Sequence, residues 1–472
     1  MLKNLTPKGK QFEIMDLEMK GHNVVTGSAG AGKSVCALWR AKAIVNRLEE
    51  DVCILTYNNT LKNYLTNVIG DESGKIDITT FHKIATAYLR EIGELGYNEV
   101  LDKGKPKLIK SAIEEVKKTY GYNSTLLRES FIEEEISWMQ KVGCLTLDEY
   151  ENVVRYGRGD ARLDRSNRKH VFKVYEKYLK LRKDKGYRYD WDDIAYYANK
   201  FIKEIRPSRT IKHVIIDEGQ DFSPMMLKFM VNYVGDNGTF MYLGDSAQQI
   251  YGSNGTWKSS GLKIKKAYKL DQNYRNSKEI ERFSNEIRKT ITLDDQEVLK
   301  SENAIKSSEV PVVFNVAEEH KQIDILEKIL DNTAENNGIK GSIAILTVTN
   351  EDKKELAFNL DLAGIKYKTI DKQDNSFKGE NGIYIGTYHA VKGLEFDGVV
   401  LYKCSDIDFN CQVLTDEDDK KEEIEKALKL LYVGATRAKK GLILIYSGEL
   451  PVGFPKNRIM DDGKNLYDYR SV

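Results

Sequence analysis

Short apolar runs of strand length punctuate the first half of the chain. Residues 22–26, 52–56, 76–79, 213–216 and 240–243 each read as a buried strand. Runs that are apolar on both alternations suit parallel strands covered by helices on both faces. After the first run, residues 35–46 are apolar at helical spacing. Between 84 and 189 the strand signals vanish. Helical periodicity takes over, as in Val171, Phe172, Val174, Tyr175, Tyr178 and Leu179. From 271 onward strand signals return at 312–316, 342–346, 382–386, 398–401 and 441–445, with helical stretches between them. The pattern predicts an α/β chain. One sheet domain is built from 1–83 and 190–270, a helical insertion occupies 84–189, and a second sheet domain covers 271–472.

Length and composition agree with that reading. A chain of 472 residues has room for more than one core, and 41% hydrophobic with 31% charged residues is globular composition. The 73 basic side chains nearly cancel the 72 acidic ones, so any surface for nucleic acid must be local. The lysines and arginines between Arg155 and Arg188 form one such basic stretch, suited either to a nucleic-acid groove or to a solvated helix face. Cys36, Cys53, Cys144, Cys404 and Cys411 contain no C-x-x-C pair, which argues against a zinc or iron–sulfur site and for a reducing, cytoplasmic setting. No apolar run is long enough to span a bilayer, and nothing resembles a signal peptide.

The chemistry sits where strands end. Gly27-Ser28-Ala29-Gly30-Ala31-Gly32-Lys33-Ser34 fits the phosphate-loop pattern G-x-x-x-x-G-K-[ST] between a strand and a helix. The glycines let backbone N–H groups turn toward phosphate oxygens, and the new helix aims its positive end at the same anion. Lys33 supplies a point charge for the β- and γ-phosphates, and the Ser34 hydroxyl suits Mg²⁺. The strand at 213–216 delivers Asp217 and Glu218 to its carboxyl end. Asp217 would hold Mg²⁺ through water, and Glu218 would orient or deprotonate the attacking water. Gln11 is an amide able to read an adenine edge. Tyr57 and Phe81 follow two further strands and could stack bases, while Thr80 and His82 could reach phosphates.

Taken as an ordered set, these segments resemble the superfamily 1 helicases of the Rep, UvrD and PcrA type, over about residues 5–446. Gln11 matches the Q motif, Gly27 to Ser34 motif I, and Asp217-Glu218-Gly219-Gln220 motif II. Gly244 to Tyr251 resembles motif III and Asn273-Tyr274-Arg275 motif IV. Thr387 to Phe396 looks like motif V and Tyr432 to Ala438 motif VI. The resemblance implies two RecA-like P-loop domains with ATP and Mg²⁺ in the cleft between them. It places Gly27, Ala29, Gly30, Ala31, Gly32, Lys33 and Ser34 around the phosphates, Tyr274 on the adenine and Glu395 at the ribose. Arg275 and Arg437 become arginine fingers, and Gln248 meets the γ-phosphate. Tyr57, Asn58, Thr80, Phe81, His82, Tyr251, Trp257, Thr387, His389 and Lys392 are the residues assigned to a single DNA strand. The implied activity is ATP-driven, 3′ to 5′ movement.

Three departures from the family pattern stand out. Ser253-Asn254-Gly255 replaces the family's Trp-Arg-Gly, leaving Tyr251 or Trp257 to stack on a base. Val35 stands where an arginine often follows the phosphate loop. Only a short polar linker at 371–382 occupies the place of the large 2B domain, so translocation without strong unwinding is the expectation. The same residues fit a motor on RNA. They also fit an ATP-gated binding switch that controls a partner such as a nuclease.

Overall fold

The computed structural model describes all residues except 1–5, 58, 70–72, 122–126, 156–162, 209, 235–237, 246–260, 291–303, 305, 319, 336–337, 340, 372–379, 405–416, 451–453 and 461–462. The first domain opens with α1 (Gln11–Met15), β1 (Gly21–Gly27), α2 (Lys33–Leu48), β2 (Val52–Thr56), α3 (Asn59–Ile69), β3 (Ile76–Thr80) and α4 (Phe81–Glu91). The helical insertion follows, with β4 (Val100–Leu101), α5 (Lys105–Tyr120), α6 (Glu129–Val142), α7 (Leu147–Asn152) and α8 (Arg165–Asp184). The chain re-enters the first domain through β5 (Tyr189–Asp190), which pairs with β4, and α9 (Ile194–Phe201). The domain is completed by β6 (His213–Ile216), α10 (Pro224–Val234), β7 (Thr239–Gly244) and β8 (Ile264–Leu270).

The sheet order is β3-β2-β6-β7-β1-β8, with every pairing parallel. Successive residues of a strand face opposite sides, so each strand feeds two cores. Val25, Ile54, Ile215, Met241 and Leu243 pack with α1, α2 and α3. Val24, Leu55, Val214, Ile216 and Phe240 pack with α4, α9 and α10. Helix α4 therefore belongs to the first sheet's core. The insertion's own core, which includes Ile109, Ile136, Trp138, Val171 and Tyr175, begins only at Leu101. This is later than the boundary at 84, because Phe81, Ala85, Tyr88 and Leu89 point into the sheet.

The second domain contains α11 (Lys278–Thr290), β9 (Val312–Asn315), α12 (Lys321–Thr333) and a small hairpin of β10 (Ala334–Glu335) and β11 (Gly338–Ile339). It continues with β12 (Ser342–Thr347), α13 (Asn350–Leu362), β13 (Tyr367–Ile370), β14 (Gly382–Thr387) and β15 (Phe396–Leu401). It ends with α14 (Glu417–Ala435), β16 (Ala438–Tyr446) and β17 (Asp468–Ser471). Its sheet, β13-β14-β12-β15-β16-β9-β17, is also parallel throughout. Ala344, Leu346, Val399, Leu401 and Leu444 face α11 and α14. Ile343, Ile345, Ile385, Val400 and Ile445 face α12 and α13. The linker at 372–379 lies outside the described residues.

Candidate nucleotide cleft and nucleic-acid face

The phosphate loop leaves β1, which lies between β7 and β8. Gly30 and Gly32 both adopt left-handed backbone, with φ of 80° and 81°. Each is also crowded. A Cβ on Gly30 would lie 2.1 Å from Asn273 Oδ1, and one on Gly32 2.1 Å from Gln11 Nε2. The backbone conformation calls for glycine at both positions, and a side chain there would also displace Asn273 or Gln11. Lys33 is buried and donates to Gly27 O at 2.8 Å and Ser28 O at 2.9 Å, which keeps its ammonium inside the curl of the loop.

Asp217 and Glu218 follow β6 and are both buried. Asp217 accepts a hydrogen bond from the Ser34 hydroxyl, while its Oδ2 is buried with no partner among the described residues. A hydroxyl and a carboxylate oxygen without a protein donor make a hard, anionic donor set of the kind that fits Mg²⁺. Burial and the neighbouring Glu218 push the Asp217 carboxyl up to about 7. Burial also raises Glu218, but Lys33, Arg437 and Lys392 outweigh it and leave this carboxyl below its usual range. Glu218 has φ of +53°, left-handed backbone that a non-glycine residue adopts at a cost. Gln220 steadies it: Nε2 donates to Glu218 Oε2 at 2.5 Å, and Oε1 accepts from Asp245 N at 2.8 Å.

The second domain supplies the opposite wall. Ala29 packs into its core, and the Tyr432 hydroxyl bonds the Ala29 backbone. Arg437 is fully buried and donates to Val433 O at 3.0 Å and Leu394 O at 3.3 Å. Burial and the nearby Arg275 lower it to about 10, so it stays cationic at neutral pH. Arg275 pairs with Glu395, Nε to Oε1 at 2.7 Å and Nη2 to Oε1 at 2.6 Å.

Residues 271–277, between β8 and α11, form the crossing from one sheet to the other. Tyr274 N donates to Gly30 O at 2.9 Å, while Asn276 Nδ2 donates to Thr436 O at 3.2 Å and Ala438 O at 2.5 Å. Beside Tyr274, Gln11 Nε2 donates to Ala31 O at 2.9 Å. Gln11, Tyr274, the phosphate loop, the acidic pair and both arginines thus converge on one cleft. Gln248 lies outside the described residues, as do Asn58, Tyr251 and Trp257.

The residues assigned to a nucleic-acid strand divide. Tyr57, His82 and Trp191 line a small cavity with Lys141, Asp192 and Asp221 at the carboxyl edge of the first sheet. His82 Nε2 lies 3.2 Å from Trp191 O, and the two rings meet edge to face with centroids 5.3 Å apart. Burial lowers the His82 pKa, so this imidazole is neutral at pH 7. Thr80 and His389 are half-buried. Phe81 does not fit the stacking role: it is 2% exposed and packs edge-on against Phe222 and Phe229. Lys392 is buried as well and bonds Asp221 across the two domains. Thr387 is nearly buried at the end of β14, and its hydroxyl accepts the Ala390 N–H at 3.4 Å. Of the residues assigned to the strand, Phe81 is thus corrected from a base-stacking residue to a core residue, and Lys392 stands in this structure as an interdomain tie.

Two features were not singled out from sequence. Trp191 is 38% exposed beside His82, an aromatic surface on the face that carries Tyr57. Its flanking acids form a buried seam at the root of the insertion. Asp190 accepts from Tyr178 at 2.6 Å, Gln140 at 2.8 Å and Arg182 at 2.8 Å, and Lys105 pairs with Asp192 at 2.6 Å. The run Tyr-Asp-Trp-Asp-Asp at 189–193, three acids around aromatics, was the available signal. The basic stretch of the insertion is also reapportioned. Arg155 bonds buried Glu135, Arg168 bonds main-chain carbonyls, and Arg182 bonds Asp190 and Asp193, while Lys169, Lys180, Lys183 and Lys185 remain exposed.

Residues 8–269 match the model of the UvrD/Rep helicase N-terminal domain, and residues 268–379 and 371–449 match that of the UvrD-like helicase C-terminal domain. A probable DNA helicase of Mycoplasma pneumoniae is 23% identical over 466 residues, 90% of this chain and 80% of that protein. The ATP-dependent DNA helicase Rep of Buchnera aphidicola is 25% identical over 387 residues, 75% of this chain but 56% of Rep. PcrA of Bacillus subtilis is 33% identical over 141 residues, 26% of this chain and 18% of PcrA. The two RecA-like sheets, the cleft they share and the matched domains agree: the chain belongs to the UvrD/Rep helicase family and is an enzyme of the ATP-dependent, UvrD-like helicase class.

Proposed function

We propose that the chain hydrolyses ATP in the cleft between its two sheets and uses the cycle to move along single-stranded DNA, 3′ to 5′. The observation that carries this reading is the convergence of groups from both domains on one phosphate loop. Lys33, Glu218 and Gln220 come from the first domain, and Arg437 and Glu395 from the second, with Arg275 on the crossing. Lys33 would grip the β- and γ-phosphates, and Ser34 with Asp217 would hold Mg²⁺, whose role is to bridge phosphate oxygens and neutralise their charge. Glu218, kept anionic by three nearby cations, would orient the attacking water and take its proton. Arg275 and Arg437 would offset charge on the transferring phosphoryl group. Tyr274 would stack on the adenine, Gln11 would read its edge, and Glu395 would meet the ribose once Arg275 turns to phosphate.

The strand would lie along Tyr57, Thr80, His82, Trp191 and His389. Stacking on aromatics is worth about 1–3 kcal/mol per base, so Trp191 would add useful grip. The exposed lysines of α8 would extend the footprint electrostatically. The cytoplasm is the compartment proposed; among the described residues no helix is long and apolar enough to cross a membrane.

Steady-state hydrolysis with and without single-stranded DNA or RNA tests the proposal, with Glu218→Gln as control. Strong stimulation by DNA, lost in the variant, is the expected result. Stimulation by RNA alone would reassign the substrate. Hydrolysis indifferent to both would sink the motor and favour an ATP-gated switch acting on a protein partner such as a nuclease.

A further inference from the structure

Gln11 reaches the cleft from a helix of only five residues, whose N-cap Lys10 makes no side-chain cap bond. A segment of that length has no helical stability of its own in water. Its position comes from whatever fastens it. On the cleft side the fasteners are Gln11 Nε2 to Ala31 O at 2.9 Å and Lys8 N to Gln11 Oε1 at 2.9 Å. On the far side Ile14 packs into the core against α2 and Arg47 pairs with Asp16, but the main-chain carbonyls are held by Arg40, from the middle of α2. Its Nη1 donates to Met15 O at 2.8 Å and also to Leu17 O, and its Nη2 donates to Glu18 O at 2.8 Å. One guanidinium therefore pins the whole turn that ends α1.

Arg40 is 0% exposed, and its hydrogen bonds go to main-chain carbonyls; its Nε has no partner among the described residues. Burial lowers it only to about 10, so it stays charged. A buried cation is costly, and an apolar side chain of similar length would fill the same space at less expense. What the guanidinium adds is geometry: a rigid planar fork that holds several carbonyls in one register. The same helix begins at Lys33 and Ser34, seven residues earlier, which is about two turns.

We propose that Arg40 is a positioning residue for base recognition. It locks the turn after α1 to the phosphate-loop helix, so that Gln11 stands at a set distance from Lys33. One helix then fixes the spacing between the group that reads the base and the group that grips the phosphates. The inference rests on the ATP reading above.

The test uses the full chain with single-stranded DNA present. It measures ATP hydrolysis, inhibition by ADP, and inhibition by inorganic tripolyphosphate, which carries phosphates without a base. Arg40→Gln raises KM for ATP and Ki for ADP about tenfold, with kcat within about twofold and tripolyphosphate inhibition unchanged. Gln11→Ala does the same, and the double variant is no worse than either single one, because the two residues act in series. Arg40→Lys keeps the charge without the fork and falls between wild type and Arg40→Gln; it carries the comparison if Arg40→Gln does not fold. Equal weakening of ADP and tripolyphosphate, or additive losses in the double variant, would overturn the proposal and leave Arg40 a fold residue. A wild type that neither hydrolyses ATP nor is inhibited by ADP would defeat the nucleotide reading itself, and this inference with it.

Discussion

Gln220 links the carboxylate proposed as general base to the backbone at the end of β7. Replacing it with leucine frees the strained Glu218 to change rotamer and takes a partner from the buried Asp245 N–H. The expected outcome for Gln220→Leu is a fall of about tenfold in kcat, with about 1–3 kcal/mol of stability lost to the unmet hydrogen bond. Hydrolysis assays and urea denaturation on the same sample separate the two effects. At this scale the sequence names residue types well and their surroundings poorly. The phosphate loop and the Asp217–Glu218 pair are legible because their spacing alone implies chemistry. Phe81 misleads because burial is decided by segments far away in the chain, and the setting of Lys392 is decided in the same way. Phe222 and Phe229 enclose the one, and Asp221 captures the other.

A charged seam ties the helical insertion to the first sheet domain, beside the contact of α6 with Met225 of α10. Arg182 there answers two buried carboxylates, Asp190 and Asp193, at 2.8 and 2.5 Å. Removing one partner of a buried pair strands the other, so Arg182→Met should cost about 3–5 kcal/mol. Hydrogen exchange should show the loss concentrated in α5, α6 and α8, with the central strands of both sheets keeping their protection. The elements themselves were unequally legible. The central strands of both sheets read clearly as apolar runs. Within the two large sheets, the strands that sequence did not show are β8, β13 and β17, and all three lie at sheet edges. An edge strand is covered less completely and carries charge that discourages pairing with other chains. Ile264–Leu270 holds three lysines in seven residues, so its pattern does not announce a strand.

Across the whole molecule, charged pairs span the cleft. Glu395 is raised by burial, but Arg275 and Lys439 outweigh this and hold it at about 2, against 4.5 for an ordinary glutamate. A depressed carboxyl adds stability that is fully present above the ordinary value and is lost as pH falls through the folded one. Unfolding free energy should therefore decline between about pH 4.5 and about pH 2. Glu395→Gln should flatten part of that decline, as denaturant titrations at several pH values would show. The effect will be modest, because 31% of the Glu395 side chain still meets solvent.

The crossing between the sheets is short, and it is tied down at both ends. Tyr274 is bonded to the phosphate loop, and Asn276 to the strand end behind Arg437. A hinge is usually slack chain kept apart from the working parts. Here the axle is itself part of the workpiece. In the proposed cycle, a turn of one sheet against the other would pass through the backbone torsions between Tyr274 and Asn276 and would carry the aromatic ring and the guanidinium with it. Lengthening that crossing by even a single residue should leave both sheets folded and both walls intact, while severing chemistry from movement.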